Sequence, residues 1–417
     1  MMNWIKRAAN FLTTLIFGYD FIQEIDRNSF PENVTTLTFR DNFNQKIEPN
    51  SLPENLVTLT FGFYFNQKIE PNTLPKNLTN LNFGWCFNQK IDLNTLPENL
   101  TTLTFREHFN QKIEPNSLPK NLSNFIFGRK FNQKIEPNSL PENLSNLTFG
   151  RKFNQKIEPN TLPENLTTLI FGWKFNQKIE PNTLPKNLSN LIFGWMFNQK
   201  IEPNTLPENL TTIIFGTRFN KKIDPNILPE NLSILTFGHD FNQKIDPNTL
   251  PEKLTTLTFG NLFNQKIEPN SLPKNLTIIN FGYCFNKKIK SNNLPENVTT
   301  ITFGWYFDQN IGNTLDSVKY INFDWRYKCV PYYTNPNIEI INNIPRYFSV
   351  KIYVNRNIFN SCGPKWPIHV VDYCKSEWSS IIYEIINKDI DPIYGKITVL
   401  INKETYEPYS HAKSARN

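Results

Sequence analysis

Residues 153–174 read FNQKIEPNTLPENLTTLIFGWK, and this 22-residue phrase recurs along the chain with a phenylalanine at every step from Phe21, Phe43 and Phe65 to Phe285 and Phe307. A strict period of this size marks a chain built from one supersecondary unit repeated many times. Such an array offers a long surface, and nothing so regular needs to be an enzyme. Within the phrase, apolar residues fall at Phe153, Ile157, Leu162, Leu166, Leu169 and Phe171. One coil cannot bury six such side chains alone, so the coils are expected to stack and turn the six positions into continuous apolar ladders. The segment Thr167-Thr168-Leu169-Ile170-Phe171 places Leu169 and Phe171 on one face, as a period-two strand requires. Identical strands in successive coils then pair into a parallel sheet. At about 4.8 Å per strand, the array extends on the order of 60 Å. Gly172 is expected to allow a turn closed to most residues, and Pro163 to fix the backbone opposite.

Asparagine is as regular as the apolar residues, at Asn154, Asn160 and Asn165. Its side chain bonds backbone groups in turns and it tolerates left-handed geometry. Asparagine ladders at the coil corners are therefore expected to satisfy main-chain groups that have no strand partner. Lys156 and Glu158 set a lysine ladder beside a glutamate ladder, with diagonal Lys–Glu neighbours offsetting like-charge repulsion; exposed pairs of this kind each contribute about 0–1 kcal/mol.

The stretch from Leu162 and Pro163 through Leu166 and Leu169 to Phe171 resembles the LPxxLxxLxF core of short leucine-rich repeats. The full unit, with its Phe-Asn…Ile…Leu-Pro signature, is similar to the FNIP repeat, a family found in social amoebae and in giant viruses of amoebae. The resemblance covers about residues 10–323. It implies a mainly β, leucine-rich-repeat-like solenoid of 22-residue coils with parallel short strands. It also implies a protein-interaction module, sometimes fused to an F-box that recruits a ubiquitin ligase. Only a partial coil, residues 12–18, precedes Phe21, so an N-terminal F-box is not expected. A ligase-adaptor role would need the C-terminal region to supply the recruiting element.

Composition agrees with a β-rich repeat protein. The four alanines, Ala8, Ala9, Ala412 and Ala415, all lie outside the array, which removes the best helix former from it. Most of the 30 prolines occupy fixed repeat positions, so they signal ordered turns. A net charge of +7 on 417 residues permits attraction to acidic partners without diagnosing nucleic-acid binding. The apolar run near the N-terminus is in repeat register and lacks a cleavage site, so it reads as coil edge and not as a signal peptide. No apolar stretch approaches the roughly 20 residues of a membrane span. Sequons such as Asn165-Leu166-Thr167 are by-products of the repeat. Five scattered cysteines argue against a disulfide scaffold. Residence in the cytoplasm, of the host cell if the chain is viral, is expected.

Against this fixed frame, the two residues after the glycine change from coil to coil. They include Phe63, Trp85, Arg129 with Lys130, Arg151 with Lys152, Trp173 with Lys174, Trp195, Arg218, Tyr283 and Trp305. The stripe has a basic centre flanked by aromatic rings, and Trp, Tyr and Arg are the side chains that most often dominate interface energetics. Two readings stay open: a partner-binding stripe, or loop positions that tolerate variation. Stacking of single-stranded nucleic acid on the rings is disfavoured because Asp41, Glu107 and Asp240 interrupt the stripe. A hydroxyl array from pairs such as Thr167-Thr168 matching a sugar polymer has no other support.

The chain divides into a partial N-terminal coil or cap at 1–20, a repeat solenoid at 21–323, and a non-repeat region at 324–417 expected to form a small α+β cap with a polar tail. In the last region Phe348 to Val354 and Lys396 to Leu400 read as strands, and Ser376 to Lys388 as a helix with Ser376 at its N-cap. Cys329, Cys362, His369 and Cys374 match no zinc spacing. No catalytic residues, metal or cofactor can be read from the motifs. The resulting expectation is a non-enzymatic scaffold for a protein partner without membrane insertion. The alternatives are a structural or surface component, and, more weakly, a carbohydrate or single-stranded nucleic-acid binder.

Overall fold

A computed structural model describes residues 12–27, 29–307, 309, 318, 320–325, 347–354 and 396–402. The chain forms two compact units, Met1–Gly216 and Thr217–Asn417. In the first, ten three-residue strands recur once per coil: β1 Thr14–Ile16, β2 Thr36–Thr38, β3 Thr58–Thr60, β4 Asn80–Asn82, β5 Thr102–Thr104, β6 Asn124–Ile126, β7 Asn146–Thr148, β8 Thr168–Ile170, β9 Asn190–Ile192 and β10 Thr212–Ile214. All pair in parallel with equivalent residues side by side, Leu169 of β8 lying next to Leu191 of β9. The second unit continues the pattern in β11 Ile234–Thr236, β12 Thr256–Thr258, β13 Ile278–Asn280 and β14 Thr300–Phe303. Longer strands follow: β15 Tyr320–Trp325 pairs in parallel with β14 and with β16 Tyr347–Val354, and β17 Lys396–Asn402 closes antiparallel on β16. Both C-terminal strands expected from sequence are present. The expected helix at 376–388 and the Cys329, Cys362, His369, Cys374 group lie outside the described residues.

Strands β2 to β13 are shorter than the five residues read from sequence: each is centred on one buried apolar residue, and the buried phenylalanine that follows lies just past its end. In β8, Leu169 is fully buried between half-buried Thr168 and Ile170. Phe171 lies just past the strand yet still donates its N–H to the Ile192 carbonyl at 2.9 Å. All six expected ladder positions are buried in the 153–174 coil. Phe149 and Phe153, four residues apart, stack at 3.8 Å, and Phe153 stacks on Phe175 of the next coil at 6.1 Å. Such offset-parallel aromatic contacts add to the burial of their area.

Three β-turns complete the 153–174 coil and most of the others; at Ser291–Asn293 a 3-10 turn replaces the first. In the first, Thr161 N–H donates to the Glu158 carbonyl at 3.3 Å, with Pro159 second and Asn160 third at φ 61°. This is the arrangement of a type II turn, which needs a residue tolerant of positive φ after proline. Eleven asparagines from Asn50 to Asn270 take this conformation. In the second turn, Leu166 N–H donates to the Pro163 carbonyl at 3.1 Å. The third runs from glycine to phenylalanine, with Phe175 N–H donating to the Gly172 carbonyl at 3.1 Å.

The other asparagines bind coil to coil. Asn154 accepts on its side-chain oxygen the backbone N–H of Asn176 at 2.8 Å, while its own N–H goes to Asn132 at 2.9 Å. Asn165 donates its side-chain amide to the Glu142 carbonyl at 3.0 Å, so in this fold the amide of that sequon is already engaged. The lysine and glutamate ladders also differ from the expected diagonal pattern. Most pairs form within a coil, as Lys156–Glu158 does at 3.4 Å, because residues two apart point the same way from extended backbone. Lys68–Asp92 and Lys222–Asp246 do bridge coils.

The glycine has a different role from the one its sequence position suggested. Its φ is not left-handed; instead, a Cβ on Gly172 would lie 1.8 Å from the Gly150 carbonyl oxygen. Successive coils approach so closely here that a methyl group has no place. Arg40 and Arg106 replace the glycine in two coils: the Arg40 carbonyl still accepts Phe43 N–H at 3.3 Å, whereas the Arg106 carbonyl accepts Arg129 N–H of the next coil at 2.9 Å.

Candidate interaction surface

The variable pair occupies the two central places of the glycine turn. Its backbone is held between coils: in most coils the N–H of the second residue donates to the carbonyl of the first residue one coil earlier, as Lys152 does to Arg129 at 2.8 Å, Lys174 to Arg151 at 2.9 Å and Met196 to Trp173 at 2.9 Å. Neither central residue has a positive φ, so the turn accepts almost any side chain. The frame therefore constrains the backbone and leaves the side chains open, and among the described pairs no side chain turns into the core. Two ladders of variable side chains stand on the surface of each unit.

In the first unit the sequence-selected residues fall into three clusters. Phe63 stacks on Trp85 at 5.4 Å and 13°, with Tyr64 edge-on to Phe63 at 4.8 Å. Next, Arg129 turns to Glu107 at 3.4 Å, so these two charges offset one another. The third cluster is an exposed three-layer stack: the Arg151 guanidinium lies 4.5 Å over Trp173, whose other face meets Trp195 at 4.3 Å and 1°. Both indoles remain more than a third exposed, Trp173 at 38% and Trp195 at 39%.

The second ladder holds Lys130, Lys152 and Lys174. Together with Cys86 and His108, Lys130 and Lys152 form one wall of an open cleft of about 560 Å³; the other is the asparagine ladder, with Asn88 and Asn110 at its middle. Sequence reasoning missed this cleft. Its only signal was that the ladder asparagine stands two residues beyond the second variable position, hence on the same side of extended backbone. Burial pushes the Cys86 thiol up, an effect partly offset by the Lys130 ammonium, and burial likewise raises Cys284. Both thiols are thereby kept protonated and poorly nucleophilic.

In the second unit the candidates are sparser. Arg218 pairs with Asp240 at 3.3 Å, and Asp240 also meets His239 at 2.7 Å. Tyr283 and Trp305 stack at 6.2 Å and 8°, with Tyr306 edge-on to Tyr283. Among the described residues no three His, Cys, Asp or Glu side chains converge to hold a metal, and no helix is long and apolar enough to cross a membrane.

The FNIP Repeat family model matches the chain in eight contiguous or overlapping segments, 9–39, 23–64, 65–108, 109–152, 153–196, 197–240, 241–284 and 285–323. Among solved structures, the chain is similar to the giant-virus protein CroV588, described as a novel circular LRR protein, with 48% identity and a TM-score of 0.74. That alignment covers 76% of this chain, which spans 47% of the CroV588 chain. A second solved structure, YopM from Yersinia enterocolitica, aligns over 71% of this chain and 65% of its own, at 21% identity and a TM-score of 0.41. No curated protein matches.

Proposed function

The chain belongs to the FNIP repeat family, and from that premise we propose that it is a non-enzymatic scaffold that binds a protein partner through the variable side chains of its glycine turns. If the chain is viral, as the CroV588 likeness favours, the partner is a host protein met in the host cytoplasm. The observation that carries the reading is the stack of Arg151, Trp173 and Trp195. Every leucine and phenylalanine of the repeat frame nearby is buried, yet two indoles stand in solvent, ordered against each other and against a guanidinium. Tryptophan and arginine held in a fixed arrangement act as anchors at interfaces, since little side-chain entropy remains to be lost on binding. Exposed rings of this size on a monomer also mark a surface that gains from being covered.

The test is affinity capture from amoebal lysate with the native chain and with a variant carrying Ser at Arg129, Lys130, Arg151, Lys152, Trp173 and Trp195. The variant is first matched to the native chain in denaturant unfolding. A partner retained by the native chain and lost by the variant supports the stripe as the contact face. Equal capture by both overturns it. Capture of nothing specific by either leaves the structural-component reading standing in its place.

A further inference from the structure

Three features of the cleft between the second variable ladder and the asparagine ladder point to its ligand. The first is charge. The frame lysines are widely neutralised by carboxylates, as in Lys134–Glu136 and Lys178–Glu180. Among the described residues Lys130 and Lys152, on the cleft wall, pair with no carboxylate, and the cleft is lined by Asn, Cys, His and Lys. Glu107, next in sequence to the cleft-lining His108, is already held by Arg129.

The second feature is hydrogen bonding. The side-chain oxygens of Asn88 and Asn110 accept the backbone N–H of Asn110 and Asn132, at 2.8 Å each. Among the described residues their amide NH2 groups have no acceptor, so the wall opposite the lysines presents donors to the cleft. An open site furnished with ammonium and amide donors calls for a ligand made of acceptors, some of them anionic.

The third feature concerns flat rings. Single-stranded nucleic acid would bring phosphates to the lysines and needs open aromatic faces for its bases. Among the described residues no Phe, Tyr or Trp ring lines the cleft, and the Trp173 ring of the other variable ladder is already held between Arg151 and Trp195. Carboxylates and peptide carbonyls, which need no stacking face, meet the donors directly.

We propose that this cleft binds an extended acidic segment of a polypeptide, with its carboxylates at Lys130 and Lys152 and its carbonyl oxygens at the side-chain amides of Asn88 and Asn110. The inference rests on the reading of the variable ladders as the contact face, and it names the chemistry of what one part of that face takes.

The experiment uses the full chain and fluorescence anisotropy with three labelled probes: a peptide alternating glutamate and glycine, its glutamine counterpart, and an oligo-dT of matched length. Two variants are compared: Lys130→Gln with Lys152→Gln in the cleft, and Lys156→Gln with Lys178→Gln in the paired ladder, which removes the same charge elsewhere. The glutamate peptide is expected to bind most tightly and to lose at least about tenfold with the cleft variant, as loss of two charge-assisted contacts implies. Less than about threefold is expected with the ladder variant, whose lysines are exposed and paired. Absence of binding, equal loss in both variants, or tighter binding of the oligo-dT each overturns the proposal. The lysate capture separates the two readings: if a stripe-dependent partner is retained equally by the cleft variant, the acidic-segment inference fails while the contact face stands.

Discussion

At Gly172 a side-chain methyl and a carbonyl oxygen compete for the same place, 1.8 Å apart. Gly172→Ala is therefore expected to cost about 1–3 kcal/mol, the range for overpacking a tight site, read as a lowered denaturant midpoint. Asn160, at φ 61°, behaves in the opposite way. Asn160→Gly is expected to be nearly neutral, whereas Asn160→Ala costs about 1–2 kcal/mol because a Cβ without a local hydrogen-bonding group strains left-handed backbone. Among the described residues the buried Thr161 hydroxyl has no partner, while Ser117 and Ser271 donate theirs to the carbonyl three residues back. Thr161→Val is accordingly expected to leave stability unchanged or raise it by up to about 1 kcal/mol, since an unpaired buried hydroxyl opposes folding. Lys222 holds Asp246 below its ordinary carboxyl range, first by their hydrogen bond and then by charge. Its contribution is present above the unfolded-state pKa and is lost as pH falls through the depressed folded value. An NMR titration is expected to show Asp246 moving back up in Lys222→Ala. These residues also mark the limit of sequence reading: asparagine's tolerance of left-handed backbone is a property of the residue, whereas the glycine's necessity comes from an atom 22 positions away.

Elements made of three residues owe nothing to local propensity alone. A strand such as β8 exists because Leu169 must face inward and its neighbours supply backbone partners on both sides. Periodicity therefore showed the six ladders and the strand face in advance, since every coil repeats the same buried set. It overestimated the strand length, because two Thr residues and an adjacent Phe have strand-like composition whether or not they join the ladder. Periodicity also could not assign ion pairs: Lys156 has a carboxylate in its own coil and others one coil away, and geometry decides for Glu158. The stripe was visible as variation, but its order was not. That Arg129 is spent on Glu107 while Arg151 caps Trp173 depends on which neighbours differ between adjacent coils. The asparagine element carries its own expectation: Asn154→Ala leaves the Asn176 N–H without its acceptor and costs about 1–2 kcal/mol, whereas Asn154→Asp, which keeps an acceptor oxygen, costs less.

The whole array gains its stability from identical interfaces between neighbours, so whole units are interchangeable where fractions of a unit are not. Deleting residues 153–174 joins Lys152 to Phe175 and restores every ladder. That chain is expected to fold with native-like circular dichroism and a cooperative transition. Deleting one residue fewer shifts the strand face and every corner that follows by one position, and is expected to abolish that transition. Hydrogen exchange should reflect the same neighbour dependence: β1, whose Leu15 is only half-buried, is expected to exchange before β2 to β9, whose central residues are fully covered. The glycine carbonyls have a further consequence for heredity. Because each coil is moulded against the backbone of the one before, a slip in the gene is harmless when it copies or drops one complete phrase and ruinous when it cuts a phrase short. Unequal recombination between near-identical repeats tends to exchange whole phrases, so a lineage can lengthen or shorten this protein in a single event and reshuffle which side chains stand beside one another on its surface.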